Sequence, residues 1–208
     1  MRQEGLVPRT TLMPLALAAT LLLVPAHARA QAVQVTPFVG YAYGGSVWDA
    51  VHENDYSFDA SLAYGGSVNF SISPTWRFEL LYSRQPTELS GEGLSPSFDV
   101  TVERYLAGFQ EEKGEGNVRW FGTVWFGATR FVPGQGDFGS ETKFSAAVGL
   151  GVKTFPVKNV GLRFEARGFY TLVKGEGDAF CANGSCLFAF SGTGMWQGDV
   201  SAGLILAF

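Results

Sequence analysis

Residues 196–208, WQGDVSAGLILAF, decide the fold. One parity is largely apolar: Trp196, Val200, Ala202, Leu204, Leu206 and Phe208. The other carries Gln197, Asp199, Ser201 and Gly203, then Ile205 and Ala207. Side chains alternate between faces along a β-strand. A period of two over about ten residues therefore fits a strand crossing a bilayer, with lipid on one side and a polar interior on the other. An isolated strand of this kind has nothing to satisfy its backbone in lipid, so it demands a closed sheet.

The same alternation recurs upstream. Residues 33–43 put Val33, Val35, Val39, Tyr41 and Tyr43 on one face, and residues 61–72 do so with Leu62, Tyr64, Val68, Phe70 and Ile72. Residues 76–84 send Trp76, Phe78, Leu80 and Tyr82 outward and Arg77, Glu79 and Ser83 inward. Residues 118–130, 144–154 and 160–172 follow. The last alternates Leu162, Phe164, Ala166 and Tyr170 with Arg163, Glu165, Arg167 and Thr171. Residues 98–111 hold a conflict. Phe98, Val100 and Val102 share the parity of Arg104, and an Arg facing the bilayer midplane costs about 2–4 kcal/mol. The predicted lipid face is therefore Tyr105, Ala107 and Phe109, with Arg104 inward and residues 98–103 standing above the membrane, wet on both faces. A bulge near Arg104 is the competing solution. The prediction is an all-β, eight-stranded, antiparallel, transmembrane up-and-down β-barrel over residues 31–208.

The connections support that count. Those at 73–75, 113–117 and 156–159 are short, whereas those at 44–59, 86–97, 131–143 and 173–195 are long. Strict alternation of short turns and long loops is the order expected of a membrane barrel. Ahead of the strands, Arg2 and Arg9 precede an apolar run at 12–24, and Ala28-Arg29-Ala30 offers a cleavage site before Gln31. Residues 1–30 thus read as a secretory signal peptide cut between Ala30 and Gln31, its apolar run too short for a spanning helix. Of 15 basic and 19 acidic residues, three Arg and one Glu fall in that segment, leaving a net charge of −6 beyond it. An acidic balance with no Lys/Arg cluster argues against a nucleic-acid partner.

In segments such as VRWFGTVWFGATRF at 118–131 and AAVGLGVKTF at 146–155, and in the terminal Phe208, the chain resembles the small eight-stranded outer-membrane barrels of the OmpA transmembrane domain and OmpX type. The resemblance spans residues 31–208. It implies a monomer in the bacterial cell outer membrane with both termini periplasmic, partnered by outer-membrane lipid and lipopolysaccharide. It also implies that the barrel-assembly machinery reads the last strand at Phe208. Trp76 and Trp120 are expected near the periplasmic interface, and Tyr43, Tyr82, Tyr170 and Trp196 near the outer one.

The inward charges Arg77, Glu79, Arg104, Lys153, Arg163, Glu165, Arg167 and Asp199 form the main candidate constellation. Eight strands leave an interior just wide enough for side chains to fill, so these charges are expected to pair as a polar plug. Cys181 and Cys186 flank Ala-Asn-Gly-Ser, whose Asn183-Gly184 is a hairpin turn. The hairpin sets the two cysteines opposite one another, at a spacing that suits a disulfide in an exported chain. Around them, Phe180, Leu187, Phe188, Phe190 and Met195 offer either a contact surface or loop packing.

Enzyme readings have little support. Beyond residue 30 the only histidine is His52, in a long loop, and no hydrolase, zinc or phosphate-binding motif occurs. Outer-membrane lipid A palmitoyltransferases use surface His, Ser and Asp, but no motif sets His52 beside Ser95, Ser97 or Asp99. Asp49, Glu53, Asp55 and Asp59 share the loop of His52 without calcium-loop spacing and read as a solvated face. No catalytic residue, metal site or cofactor is expected. The expected role is non-enzymatic: membrane structure or surface contact through the long extracellular loops. The alternative is a narrow porin-like channel for small or hydrophobic solutes, which the small inward residues Gly40, Ala42, Ala147, Gly149, Gly151 and Gly203 leave open.

Overall fold

The structure is a computed structural model in which the described residues are 32–49, 54–91, 98–134, 139–173, 177–182, 185–190 and 194–208. The signal segment with its Ala30–Gln31 cut, and His52, lie outside them. The described residues form twelve strands and no helix: β1 (Val33–Gly44), β2 (Ser46–Asp49), β3 (Asn54–Phe58), β4 (Ser61–Ser71), β5 (Trp76–Gly91), β6 (Phe98–Lys113), β7 (Val118–Pro133), β8 (Glu141–Val157), β9 (Val160–Thr171), β10 (Gly177–Ala182), β11 (Ser185–Phe190) and β12 (Met195–Ala207).

Eight of these close a barrel in the order β1, β4, β5, β6, β7, β8, β9, β12, every neighbour antiparallel. The ends meet where β12 pairs with β1, Tyr41 opposite Val200 and Phe38 opposite Gly203. Pro37 has no N–H to give, and the β1–β12 ladder skips it and resumes in unchanged register. The three short turns lie at one end. Gly116 takes a left-handed φ of 71° in one of them, a conformation that favours glycine. The eight barrel strands are the eight expected ones, and their outward parity is the one expected. Leu150, Trp196, Trp120, Leu62 and Val148 stand well exposed on the outer wall, an apolar belt suited to hydrocarbon. Ring pairs reinforce neighbouring strands there: Tyr82 with Tyr105 at 5.1 Å, Tyr170 with Trp196 at 4.8 Å.

Two of the long connections carry strands of their own: 44–59 contains β2 and β3, and 173–195 contains β10 and β11. These short strands extend the sheet beyond β5 in the order β3, β2, β11, β10. One expectation needs correction: residues 98–103 are not wet on both faces, and no bulge occurs at Arg104. β6 pairs without a register break with β5 and with β7, and Phe98, Val100 and Val102 point inward on the parity of Arg104. The reason lies in strand length. β5 to β8 run 16, 16, 16 and 17 residues, against 11 to 13 for the other four barrel strands. Their surplus rises past the belt and encloses an apolar cap. Phe98, Val100 and Val102 are buried there with Leu89, Phe131 and Phe58 of β3, the last two rings stacked at 5.8 Å. Burying a side chain of this size contributes about 1.5–3 kcal/mol, which holds the inward parity beyond the apolar belt.

Candidate functional site

Among the described residues, buried charges converge in the barrel interior. All eight expected lumen charges are buried. Seven of them, Arg77, Glu79, Lys153, Arg163, Glu165, Arg167 and Asp199, join a single ladder. Arg167 donates through Nε to Asp199 Oδ1 at 2.7 Å, and its Nη1 lies 3.9 Å from Glu165 Oε2. Glu165 Oε1 takes Arg163 Nη2 at 2.7 Å. Arg163 then clasps Glu79 in a two-pronged contact, Nη1 to Oε1 at 2.8 Å and Nη2 to Oε2 at 3.2 Å. Such bidentate pairs are the strong form of the interaction. Gln110 continues the chain, donating to Glu79 at 3.0 Å and accepting from Lys153. Lys153 also donates to Gln34 at 3.0 Å and to Glu112.

Glu112 closes the ladder at the short-turn end, and its role was not among the expectations. Arg77 Nε reaches it at 2.9 Å and Arg119 Nη1 at 3.6 Å, with Lys153 as its third cation. The eighth charge, Arg104, stands apart. It is fully buried, yet its hydrogen-bond partners are neutral: Gln85 Oε1 at 3.1 Å and Gln197 Oε1 at 2.8 Å. Its guanidinium lies 4.4 Å over the ring of Phe169. Rings serve other lumen cations as well, Phe121 under Arg163 at 4.6 Å and Phe38 under Arg167 at 4.3 Å. A cation over an aromatic face gains electrostatic attraction that a dry interior strengthens.

Aromatic packing completes the filling. Leu81, Leu106, Trp125, Ala147 and Phe169 form a buried cluster with Phe38 against it, and Trp125 and Phe169 are 0% exposed. Two of the small inward residues, Gly149 and Gly151, are sockets for rings. A Cβ at Gly149 would fall 2.6 Å from the Trp125 ring, and one at Gly151 2.3 Å from that of Phe121. Ile205 and Ala207, the less polar inward positions of the last strand, are buried in the lumen too. What this arrangement does chemically is brace the wall: opposed charges tie β5, β6, β8, β9 and β12 together across the interior.

Of the remaining candidates, Cys181 and Cys186 occupy directly opposed positions where β10 pairs with β11, as do Ala182 and Ser185. Phe208 closes the last strand onto the first, its N–H donating to the Val33 carbonyl at 2.9 Å.

No family model and no curated protein matches the sequence. Solved structures do share the architecture. Neisserial surface protein A aligns with a TM-score of 0.61 at 17% identity, covering 86% of this chain and 99% of that one. The N-terminal β-barrel domain of Pseudomonas aeruginosa OprF aligns at 0.48 and 13% identity, over 86% and 100% of the two chains. Ail of Yersinia pestis, solved with the heparin analogue sucrose octasulfate, aligns at 0.44 and 16%, over 85% and 99%. At these identities the likeness is one of fold. The chain has the closed eight-stranded barrel fold of the small outer-membrane proteins.

Proposed function

We propose that this chain is an integral protein of the bacterial outer membrane that acts by surface contact, without conduction or catalysis. The observation that carries this reading is the filled lumen: Trp125 and Phe121 occupy the space that Gly149 and Gly151 leave, Phe169 packs with Trp125 in the buried cluster, and a ladder of paired charges runs beside them. A barrel so filled is an anchor. What it anchors is the extension of β5 to β8 with its apolar cap, joined by the sheet of β2, β3, β10 and β11. In this reading the short turns and both chain termini lie in the periplasm, and the extension faces outward, level with or above lipopolysaccharide. The protein works as a monomer, and its last strand, ending at Phe208, is what the assembly machinery recognises.

The test is single-channel conductance of the protein in planar bilayers, with heat-shifted gel migration as the check of folding. Silence is expected. Stable steps that change with Arg104→Ala or Glu165→Ala would install the porin-like channel instead.

A further inference from the structure

We propose that the outer wall from β6 to β12 carries a site for one molecule of phosphatidylethanolamine, held on the short-turn side of the barrel. The proposal rests on the reading above that this wall stands in lipid. A groove of about 730 Å³ runs across four strand pairs there. Its lining follows the register: Glu111 lies opposite Gly122, Gly122 opposite Leu150, Leu150 opposite Ala166, and Ala166 opposite Val200, the exposed Leu150 rising between the small Gly122 and Ala166. Gly122 and Ala166 form the floor between the bulky Trp120 and Phe164.

The floor glycine is not one the backbone requires. A Cβ at Gly108 or Gly127 would strike a neighbouring carbonyl oxygen at 2.0 or 2.1 Å, so those positions must be glycine for the strands to pack. A Cβ at Gly122 would meet nothing nearer than Leu150 Cδ2 at 3.5 Å, an ordinary contact. Strand packing thus accounts for Gly108 and Gly127 and leaves Gly122 free to shape the outer surface, where a depression fits an acyl chain.

The charges at the groove mouth select the headgroup. Glu111 and Lys113 both face outward on β6, 3.3 Å apart, with Lys113 opposite Trp120 in the pairing of β6 and β7. An exposed pair of this kind is held together weakly and exchanges partners readily. A phosphoethanolamine head offers the complement of both: its phosphate accepts from the Lys113 ammonium, and its primary ammonium donates to the Glu111 carboxylate. Phosphatidylglycerol supplies a phosphate and neutral hydroxyls but no cation, and its negative charge lies beside that of Glu111. The Trp120 indole suits the boundary between chain and headgroup.

The experiment counts lipid retained on the detergent-purified protein by native mass spectrometry after exposure to phosphatidylethanolamine or phosphatidylglycerol. One phosphatidylethanolamine is expected, preferred about tenfold, the scale of one or two lost favourable contacts. Gly122→Leu and Ala166→Leu, each placing an apolar group on the lipid face, should both lower retention about tenfold in barrels that still migrate as folded. Glu111→Gln should erase the preference between the two lipids. Equal retention of both lipids, unchanged retention in both groove-filling variants, or a preference that survives Glu111→Gln would each overturn the assignment. The assay requires only a folded barrel. A conducting barrel that still retains phosphatidylethanolamine would therefore sink the functional reading and leave the lipid site standing.

Discussion

Glu112 and Arg104 illustrate two different ways of burying a charge, and they lead to opposite expectations. The Glu112 carboxylate answers Arg77, Lys153 and Arg119 together. Glu112→Ala strands those cations, Lys153 fully buried among them, and is expected to cost about 3–5 kcal/mol in urea unfolding from micelles. Among the described residues Arg104 has no carboxylate within salt-bridge reach, only Gln85, Gln197 and the Phe169 ring. Replacing it by an apolar chain of similar length removes a desolvated cation as well as two hydrogen bonds. Arg104→Met is therefore expected to change stability by less than about 1.5 kcal/mol in either direction. If the two variants cost the same, the ladder would not be where the lumen's electrostatic stability resides. Glu112 is legible in the sequence by parity alone, since counting in twos from Arg104 passes Gln110 and reaches it. The string EEKGEGN hides that count, because its charge and glycine content is that of a turn, and only the last three or four residues actually turn. The ring sockets at Gly149 and Gly151 carry no such signal. Which ring fills which gap depends on register between strands, and a single strand's sequence does not contain it.

At the scale of elements, what was legible tracks what enforces the pattern. Lipid on one side and a polar interior on the other impose alternation over a full crossing, so the eight barrel strands stand out, residues 61–71 and 196–208 most clearly. β2, β3, β10 and β11 are four to six residues long and lie outside the belt, where nothing penalises a polar outer face, and they leave no comparable trace. Residues 98–103 fail for a related reason. Their apolar parity was visible, but the partners that bury it, Phe58, Leu89 and Phe131, come from three other strands. The pairing of β10 with β11 is the exception outside the belt, since the Asn-Gly signal in the sequence fixes register locally, and Cys181 stands opposite Cys186 as that signal requires. A disulfide is expected there. In the exported protein, denatured without reductant, neither cysteine should take up a thiol reagent, and both should after reduction. Closing so short a loop stabilises by only about 2 kcal/mol on chain-entropy grounds, and that gain is local to the hairpin. Reduction should thus speed proteolysis within residues 177–190 while the urea midpoint of the barrel stays put. Free thiols in the unreduced protein would remove the staple.

For the whole molecule the question is what seals the barrel, since rings and charges both occupy its interior. Charged pairs can part and re-form, and water follows them. A ring wedged against a glycine has no such alternative, because Trp125 fills the space above Gly149 and Phe121 that above Gly151. The two seals also fail differently when cut. Removing Glu79 or Arg163 unpairs a buried ion and lowers stability, but leaves the rings in place. Removing the rings leaves the ladder intact, with Arg163 deprived of the Phe121 face beneath it. Each truncation to alanine costs about 3–5 kcal/mol, a load that the closed hydrogen-bonded wall and the apolar cap must carry. The double variant Trp125→Ala, Phe121→Ala should therefore remain folded in lipid, less resistant to urea, and should show single-channel steps that the parent protein lacks. Those steps should favour anions, because Arg163 loses its Phe121 cover and the buried cations Arg77, Arg104, Lys153, Arg163 and Arg167 outnumber the buried carboxylates Glu79, Glu112, Glu165 and Asp199. Steps without anion preference would place the opening elsewhere in the barrel. Silence from the folded double variant would mean that the ladder of charges, and not the aromatic packing, is the seal.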